Sequence, residues 1–256
     1  MSSLIAFTKK ELLGQVRSAK LWIVLGVFFI FGLMNPGITA ITPWLFEVMK
    51  DALEQSGMNI TVTSVNALDS WAQFYSNISV ALIVFGVVYG TAFTKEYRTG
   101  TLVLSLTKGL ERYKVIIAKT GVLIAVWTVA YWMCYAVTYT INELVWDNSV
   151  AQHLGLSAIC WWLYGIFVIS LITMFSTVFS SFGGVALGVG GVVFAESLIT
   201  IIPRVIEYLP SMLMNGLSLV YGLEEPKEFI ASIIITLVLT AVFFAISVPI
   251  FNKKQL

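Results

Sequence analysis

The sequence predicts an all-α, polytopic membrane protein with six transmembrane helices, an N-terminal amphipathic helix on the membrane surface, and both termini in the cytoplasm. Two observations predict this fold class. Of the 256 residues, 58% are hydrophobic and 11% are charged, whereas a soluble domain carries about 25% charged residues. The apolar residues are also concentrated in uncharged runs that charged segments separate.

Six such runs are long enough to cross a bilayer as helices, because a hydrocarbon core about 30 Å thick requires about 20 apolar residues. They cover residues 21–41, 74–93, 120–141, 154–179, 183–202 and 229–251. These runs are too long for the strands of a membrane barrel, so the backbone polar groups in lipid must be satisfied within helices. We therefore expect a single transmembrane domain over residues 1–256.

The distribution of basic residues predicts the orientation. With both termini inside, twelve of the fifteen Lys and Arg residues lie in cytoplasmic segments, and the exceptions are Lys50, Arg204 and Lys227. Basic residues near the ends of spans are retained on the cytoplasmic side. This pattern predicts a multi-pass protein of the cell membrane, in contact with its lipids. The net charge of +1 disfavours a nucleic-acid partner.

Residues 1–20 precede the first span and show a helical pattern of their own. The apolar Ile5, Leu12 and Val16 share one face, with Lys10 roughly opposite, although Phe7 breaks the pattern. Such a pattern is typical of a helix that lies in the membrane surface. The alternative is a plain cytoplasmic lead-in helix. Because the first apolar run is long enough to span, we expect it to be retained rather than cleaved.

The segments between the spans differ in length. The outer segment 42–73 opens with an amphipathic stretch and continues with polar residues, and the inner segment 94–119 is the longest cytoplasmic connection. Only residues 180–182 join the fourth and fifth spans, which predicts a tight hairpin. Gly184 and Gly188 in the fifth span allow close helix approach. They predict packing either within the bundle or at a dimer seam.

The sequence offers little for enzymatic chemistry. Its one histidine, His153, lies at the outer start of the fourth span, and none of the spans contains an aspartate. Nucleophilic catalysis needs a nucleophile beside a base, and aspartyl catalysis needs two carboxylates in one site. Cys134 and Cys160 lie in spans without the neighbours of a zinc site. We therefore expect a chain that is not an enzyme and binds no cofactor or metal.

Two features within the spans are candidates for a translocation pathway. Glu196 is the one ionisable residue well inside a span, and such residues tend to face a cavity or a partner. The alternative is a carboxyl group that reaches the outer interface or is protonated and hydrogen-bonded. Asn35 is followed by Pro36 and Gly37, which weaken or bend a helix. They indicate either a gate or the end of the first helix.

The inner segment carries a family resemblance. It reads Glu96-Tyr97-Arg98-Thr99-Gly100-Thr101 directly after the second span and continues with Leu102-Val103-Leu104-Ser105-Leu106. This run resembles the Glu-x-x-x-Gly-Thr coupling segment of ABC exporter permeases of the bacterial drug, lantibiotic and peptide export type. The number of spans and the basic lead-in also fit that family. The sequence departs from many of its members in following this helix with Thr107-Lys108-Gly109 instead of a proline.

The resemblance implies a role for the chain and for individual residues. Two permease chains, identical or different, would pair with two cytoplasmic ATP-binding subunits, which bind the ATP and Mg. The sequence itself has no Gly-x-x-x-x-Gly-Lys-Ser/Thr phosphate loop. The coupling role, with charge-assisted bonds from Glu96 and Arg98 to the partner, falls on Glu96, Arg98, Gly100, Thr101 and Leu102.

The aromatic, apolar spans suit an amphipathic or hydrophobic substrate, exported from a bacterial plasma membrane. Movement of the inner segment would reach the first, second and fifth spans. The alternatives are an ordinary basic loop at this position, and, for the chain, an ATP-independent secondary transporter or a membrane immunity or structural protein.

Overall fold

The computed structural model describes residues 3–55, 64–107 and 109–254, and every regular element within these ranges is a helix. The polar residues 56–63 of the predicted outer segment lie outside the described residues. In chain order the α-helices are α1 Ser3–Val16, α2 Ala19–Gln55, α3 Ala67–Tyr89, α4 Thr94–Thr99, α5 Thr101–Thr107, α6 Arg112–Val145, α7 Leu154–Val178, α8 Phe182–Ile199, α9 Pro203–Ile206, α10 Gly216–Val220 and α11 Ile230–Lys253. Short 3₁₀ helices occupy Asn148–Val150, Pro210–Asn215 and Pro226–Phe229.

The predicted all-α membrane fold is confirmed. Within the described residues, six helices are long and apolar enough to cross a membrane, namely α2, α3 with α4, α6, α7, α8, and α11 with the turn before it. Helices α2 and α6 extend well beyond the uncharged runs because polar residues continue the helix, whereas α8 ends at Ile199, before its run does. Helices α6 and α7 are the most buried of the six and α8 is the least buried.

The first spanning helix continues through Pro36 to residue 55, so the expectation of a helix end at residues 35–37 is wrong. Proline has no N–H, which leaves the carbonyl of Gly32 without its helical partner. Thr138 of α6 compensates, because its Oγ1 donates to Gly32 O at 3.1 Å. A Cβ at Gly32 would lie 3.0 Å from both Cys134 O and Val137 Cβ. The glycine therefore allows the close approach that brings the threonine to α2.

The predicted hairpin between α7 and α8 is present, and it explains the two glycines. A Cβ at Gly184 would lie 2.7 Å from Phe179 Cγ, and one at Gly188 would lie 2.5 Å from Phe175 Cδ1. Both contacts are within the chain, so these glycines serve packing within the bundle. By contrast, a Cβ at Gly190 or at Gly191 would meet nothing within 4 Å.

Helix α1 attaches to the bundle through Phe7, the residue that interrupts its amphipathic pattern. Phe7 is 7% exposed and belongs to a small apolar cluster with Ile116 and Phe251, whereas Ile5 and Val16 are each 53% exposed. The structure thus places α1 across the end of the bundle where α11 also finishes. The two described ends of the chain lie together, as an even number of spans requires.

At the opposite end of the bundle, the hydrogen bonds that α3 makes to α7 and to the loops use uncharged groups, and we call it the neutral end. Trp71 Nε1 of α3 donates to Asn148 Oδ1 at 3.0 Å. Tyr75 and Ser157 are hydrogen-bonded through their hydroxyl groups, and Ser157 Oγ donates to Gly216 O at 2.7 Å. These contacts fix α3, α7 and the segment after α9 to one another.

Candidate functional site

Basic side chains gather where α3, α7 and α11 finish, and we call this the basic end of the bundle. Lys20 Nζ donates to Val88 O of α3 at 3.0 Å, and Arg112 Nη1 donates to Phe251 O of α11 at 2.6 Å. Lys254 Nζ lies within 3.3 Å of three carbonyl oxygens at the end of α7, those of Ser176, Thr177 and Phe179. Cations at helix C-termini are favoured because the last carbonyls carry partial negative charge. Burial lowers the pKa of the Lys254 ammonium from its usual value.

The segment that resembles a coupling motif forms two short helices at this end, α4 and α5, with Gly100 between them. Gly100 has φ 67°, in the left-handed region, and a Cβ added there would meet nothing within 4 Å. The requirement for glycine therefore comes from the backbone torsion, which costs an L-residue about 1–2 kcal/mol. Thr101 begins α5, and its hydroxyl lies 3.0 Å from that of Thr99.

Glu96 faces the bundle. Its Oε1 lies 2.8 Å from Lys119 Nζ of α6, and the same ammonium lies 2.9 Å from Glu11 Oε2 of α1. Lys119 is only 5% exposed. A buried cation is stable only when it is paired, and here two carboxylates from two other helices pair with it. The resemblance implied a bond from Glu96 to a partner protein, and the structure instead places its carboxylate in an ion pair within the chain.

Two residues of the basic end, Lys119 and Glu11, were not predicted as functional from the sequence. The charge distribution predicts that both lie in cytoplasmic segments and indicates no role for either. The sequence did contain a clue. The predicted cytoplasmic segments hold few acidic residues, and each of them is expected to pair with a nearby basic residue. The sequence could not show which lysine each would meet, because 108 positions separate Glu11 from Lys119.

Leu102 lies on the inner side of α5. It is 1% exposed and packs in the same cluster as Phe7, Val115 and Phe251. The side chain is covered by its own bundle, and the coupling role of Leu102 stays a prediction. Arg98 is exposed, and Val103 is 38% exposed. These two residues belong to the outer surface of α4 and α5.

The two pathway candidates lie in different surroundings. Asn35 is fully buried, with Nδ2 donating to Thr138 Oγ1 at 3.0 Å and Oδ1 accepting from Asn77 Nδ2 at 2.8 Å. Its amide therefore links α2, α3 and α6, and structural packing accounts for it. Glu196 of α8 is 7% exposed, and its Oε2 has no hydrogen-bond partner among the described residues. Within the described part of the chain, no hydrogen bond accounts for the burial of that oxygen.

The described residues contain no group of three or more His, Cys, Asp or Glu side chains that could hold a metal ion. No curated protein and no solved structure matches the chain. The model of the family described as ABC-2 family transporter protein matches residues 5–230. That match covers nearly all of α1 and the first five membrane-crossing helices. Of the basic end it includes Lys20, Glu96 and Lys119, whereas Phe251 and Lys254 lie beyond it. The chain belongs to the ABC-2 transporter family and has the helices of a multi-pass membrane transport component.

Proposed function

We propose that the chain is the permease subunit of an ABC exporter and that a separate cytoplasmic subunit, which binds ATP and Mg, docks on α4 and α5. One observation carries this proposal. The inner side of these helices is fixed to the bundle by Glu96 and Leu102, while Arg98, Thr99 and Val103 are exposed. A short element that is anchored on one side and open on the other is suited to receive a partner.

The contacts of α4 and α5 indicate which spans a displacement of these two helices would act on. Glu96 reaches α6 and α1 through Lys119, and Tyr97 donates its hydroxyl to Ser176 O of α7 at 3.0 Å. Leu102 packs with Phe251 of α11. A displacement of this segment would therefore act on the third, fourth and sixth spans, in addition to the second span that leads into it. This set differs from the first, second and fifth spans that the resemblance suggested.

The proposal includes a second permease chain and an amphipathic or hydrophobic substrate. Helix α8 contacts few other elements and exposes large apolar side chains, Leu187 at 80% and Phe194 at 64%. Lipid or a second permease chain, identical or different, would cover this surface. With the basic end in the cytoplasm, as the charge pattern predicts, export would run from a bacterial plasma membrane outward.

The docking surface is tested by co-expression of the affinity-tagged chain with a candidate ATP-binding subunit, followed by co-purification. Val103→Asp changes an exposed side chain and leaves the Lys119 ion pairs and the Leu102 contacts in place. We expect it to reduce the retained subunit at least tenfold, which corresponds to about 1.4 kcal/mol. Lys227→Glu, at a residue 71% exposed in the turn before α11, is the matched control. Retention at the control level in Val103→Asp would contradict the proposal.

We also propose that Glu196 lines the translocation pathway, because its buried carboxylate oxygen lacks a partner among the described residues and intramembrane ionisable residues tend to face a pathway. Glu196→Gln keeps the shape and removes the charge. We expect transport in proteoliposomes to change at least fivefold while co-purification with the ATP-binding subunit stays normal. Glu207→Gln, at an exposed residue after α9, is the control. Unchanged transport would assign Glu196 a packing role.

A further inference from the structure

A narrow apolar groove runs between α3 and α8, with α7 as its floor, and encloses about 310 Å³. Its walls are almost wholly aliphatic. The α3 wall extends from Ser79 to Gly90, and the α8 wall from Phe182 to Val193. With a rise of 1.5 Å per residue, each wall is about 16 Å long, close to half of a hydrocarbon core about 30 Å thick. The groove thus has the length of one leaflet.

The groove ends at the basic end beside a second, polar cavity of about 510 Å³. Phe182 lines both spaces. The polar cavity is lined by cationic and hydroxyl-bearing side chains, namely Thr91, Thr94, Lys95, Arg98, Thr99 and Ser181. Lys20 lies at its edge, since its Nζ donates to Thr91 Oγ1 at 2.8 Å. The first turn of α8 begins here, where a helix N-terminus favours an anion.

The two spaces together match one kind of molecule. The groove is apolar over a length of about 16 Å, which suits an extended acyl chain from one leaflet. The cations at its mouth favour a negatively charged group bonded to that chain.

We infer that the groove and the polar cavity bind an anionic phospholipid from the leaflet at the basic end, with an acyl chain between α3 and α8 and the phosphate beside Lys95 and Arg98. The lipid would fill the space between α8 and α3, which the α7–α8 hairpin leaves open. This inference depends on the membrane placement of the helices and needs no ATP-binding subunit. Arg98 is also exposed on the surface proposed for that subunit, so docking is tested at Val103 instead.

Two neighbouring glycines provide a matched test of the acyl-chain groove. Gly190 lines the groove and Gly191 does not, although a Cβ at either position meets nothing within 4 Å. Native mass spectrometry of the full chain in detergent would measure binding of added dioleoylphosphatidylglycerol and of dioleoylphosphatidylcholine. We expect at least a tenfold preference for the anionic lipid. Gly190→Leu should abolish binding of both lipids, and Gly191→Leu should bind as the unaltered chain does.

A second pair of variants tests the head-group cavity. Lys95→Gln with Arg98→Gln should remove the preference for phosphatidylglycerol while phosphatidylcholine binding remains. Lys227→Gln, at an exposed lysine outside the cavity, should keep the preference. The same experiment uses no ATP-binding subunit, so failure of lipid binding and failure of the docking proposal are separate results.

Three outcomes would overturn the inference. Equal lipid binding by Gly190→Leu and Gly191→Leu would show that no acyl chain occupies the groove. An undiminished preference in the Lys95 and Arg98 double variant would place the phosphate elsewhere. If Gly190→Leu instead lowers the oligomeric state and leaves lipid binding intact, a second copy of the chain covers this groove.

Discussion

The two ends of the helix bundle are held together by different chemistry. At the neutral end, hydroxyl, indole and amide groups make hydrogen bonds among Trp71, Tyr75 and Ser157 and the loops that cover them. At the basic end, charged side chains make the equivalent contacts, through Lys119 between two carboxylates and through cations at helix C-termini. Removing one member of a buried ion pair costs more free energy than removing one neutral hydrogen bond. Single substitutions should therefore destabilise the two ends by different amounts.

The largest expected effect comes from removing the buried cation of the basic end. Lys119→Met removes the cation that Glu11 and Glu96 share, and only the exposed Lys10 remains paired with Glu11. Loss of one member of a buried ion pair costs about 3–5 kcal/mol, so thermal unfolding in detergent should begin at a markedly lower temperature. Adding Glu11→Gln and Glu96→Gln to the variant should restore much of the loss.

Lys10→Met is the control for that variant, because Lys10 is 58% exposed and pairs with the same Glu11 at 3.4 Å. Exposed pairs contribute about 0–1 kcal/mol. If Lys119→Met unfolds at the same temperature as Lys10→Met, the ion pairs are unimportant for stability, and the contrast between the two ends fails.

The second effect concerns the neutral end. A Cβ at Gly216 would lie 2.6 Å from Ser157 Oγ and 3.1 Å from Trp161 Cδ1, so Gly216→Ala should displace the serine that joins Tyr75 to the loop. Forcing a methyl group into a packed site typically costs about 1–3 kcal/mol. Gly155→Ala is the control, since a Cβ there meets nothing within 4 Å. Equal unfolding temperatures for the two variants would show that the neutral end tolerates rearrangement.

The smallest expected change in stability comes from removing a cation that caps a helix at the basic end without disturbing the Lys119 ion pairs. Arg112→Met removes the donor to Phe251 O and to Lys254 O, and the loss of a cation at a helix C-terminus costs about 1 kcal/mol. We expect a small fall in the unfolding temperature and increased hydrogen exchange confined to the last turn of α11. Exchange that also rises at the neutral end would mean that the two ends are not independent.

Much of the fold could be predicted because lipid imposes simple requirements on length and composition. The six spans, the tight turn at residues 180–182 and the bend at Gly100 follow from local sequence. The course of α2 could not be predicted, because the donor that compensates for Pro36 comes from Thr138, about one hundred positions later. Phe7 was set aside as an irregularity for a related reason, since its partners lie on α6 and α11.

The sequence predicted which segment carries the candidate site, and that assignment stays a prediction. The motif at residues 96–101 identified the segment, but it could not indicate which side of the segment faces the bundle. Glu96 and Leu102 proved to be inward contacts, and the exposed surface includes Arg98 and Val103. Orientation of a short helix depends on what it packs against, and for this segment those partners, Lys119 and Phe251, are distant in sequence.

The position of Lys254 also has a consequence for the order of assembly. Its ammonium is bound to the carbonyl of Phe179 and its own carbonyl to Arg112, so it joins the ends of three membrane-crossing helices. Ribosomes add about 5–20 residues per second, and 75 positions separate Phe179 from Lys254. During synthesis, about 4–15 s therefore pass between the addition of Phe179, at the end of α7, and the addition of Lys254. The contact between Lys254 and α7 therefore forms late in synthesis, and truncation before residue 254 should make newly inserted chains more accessible to membrane proteases.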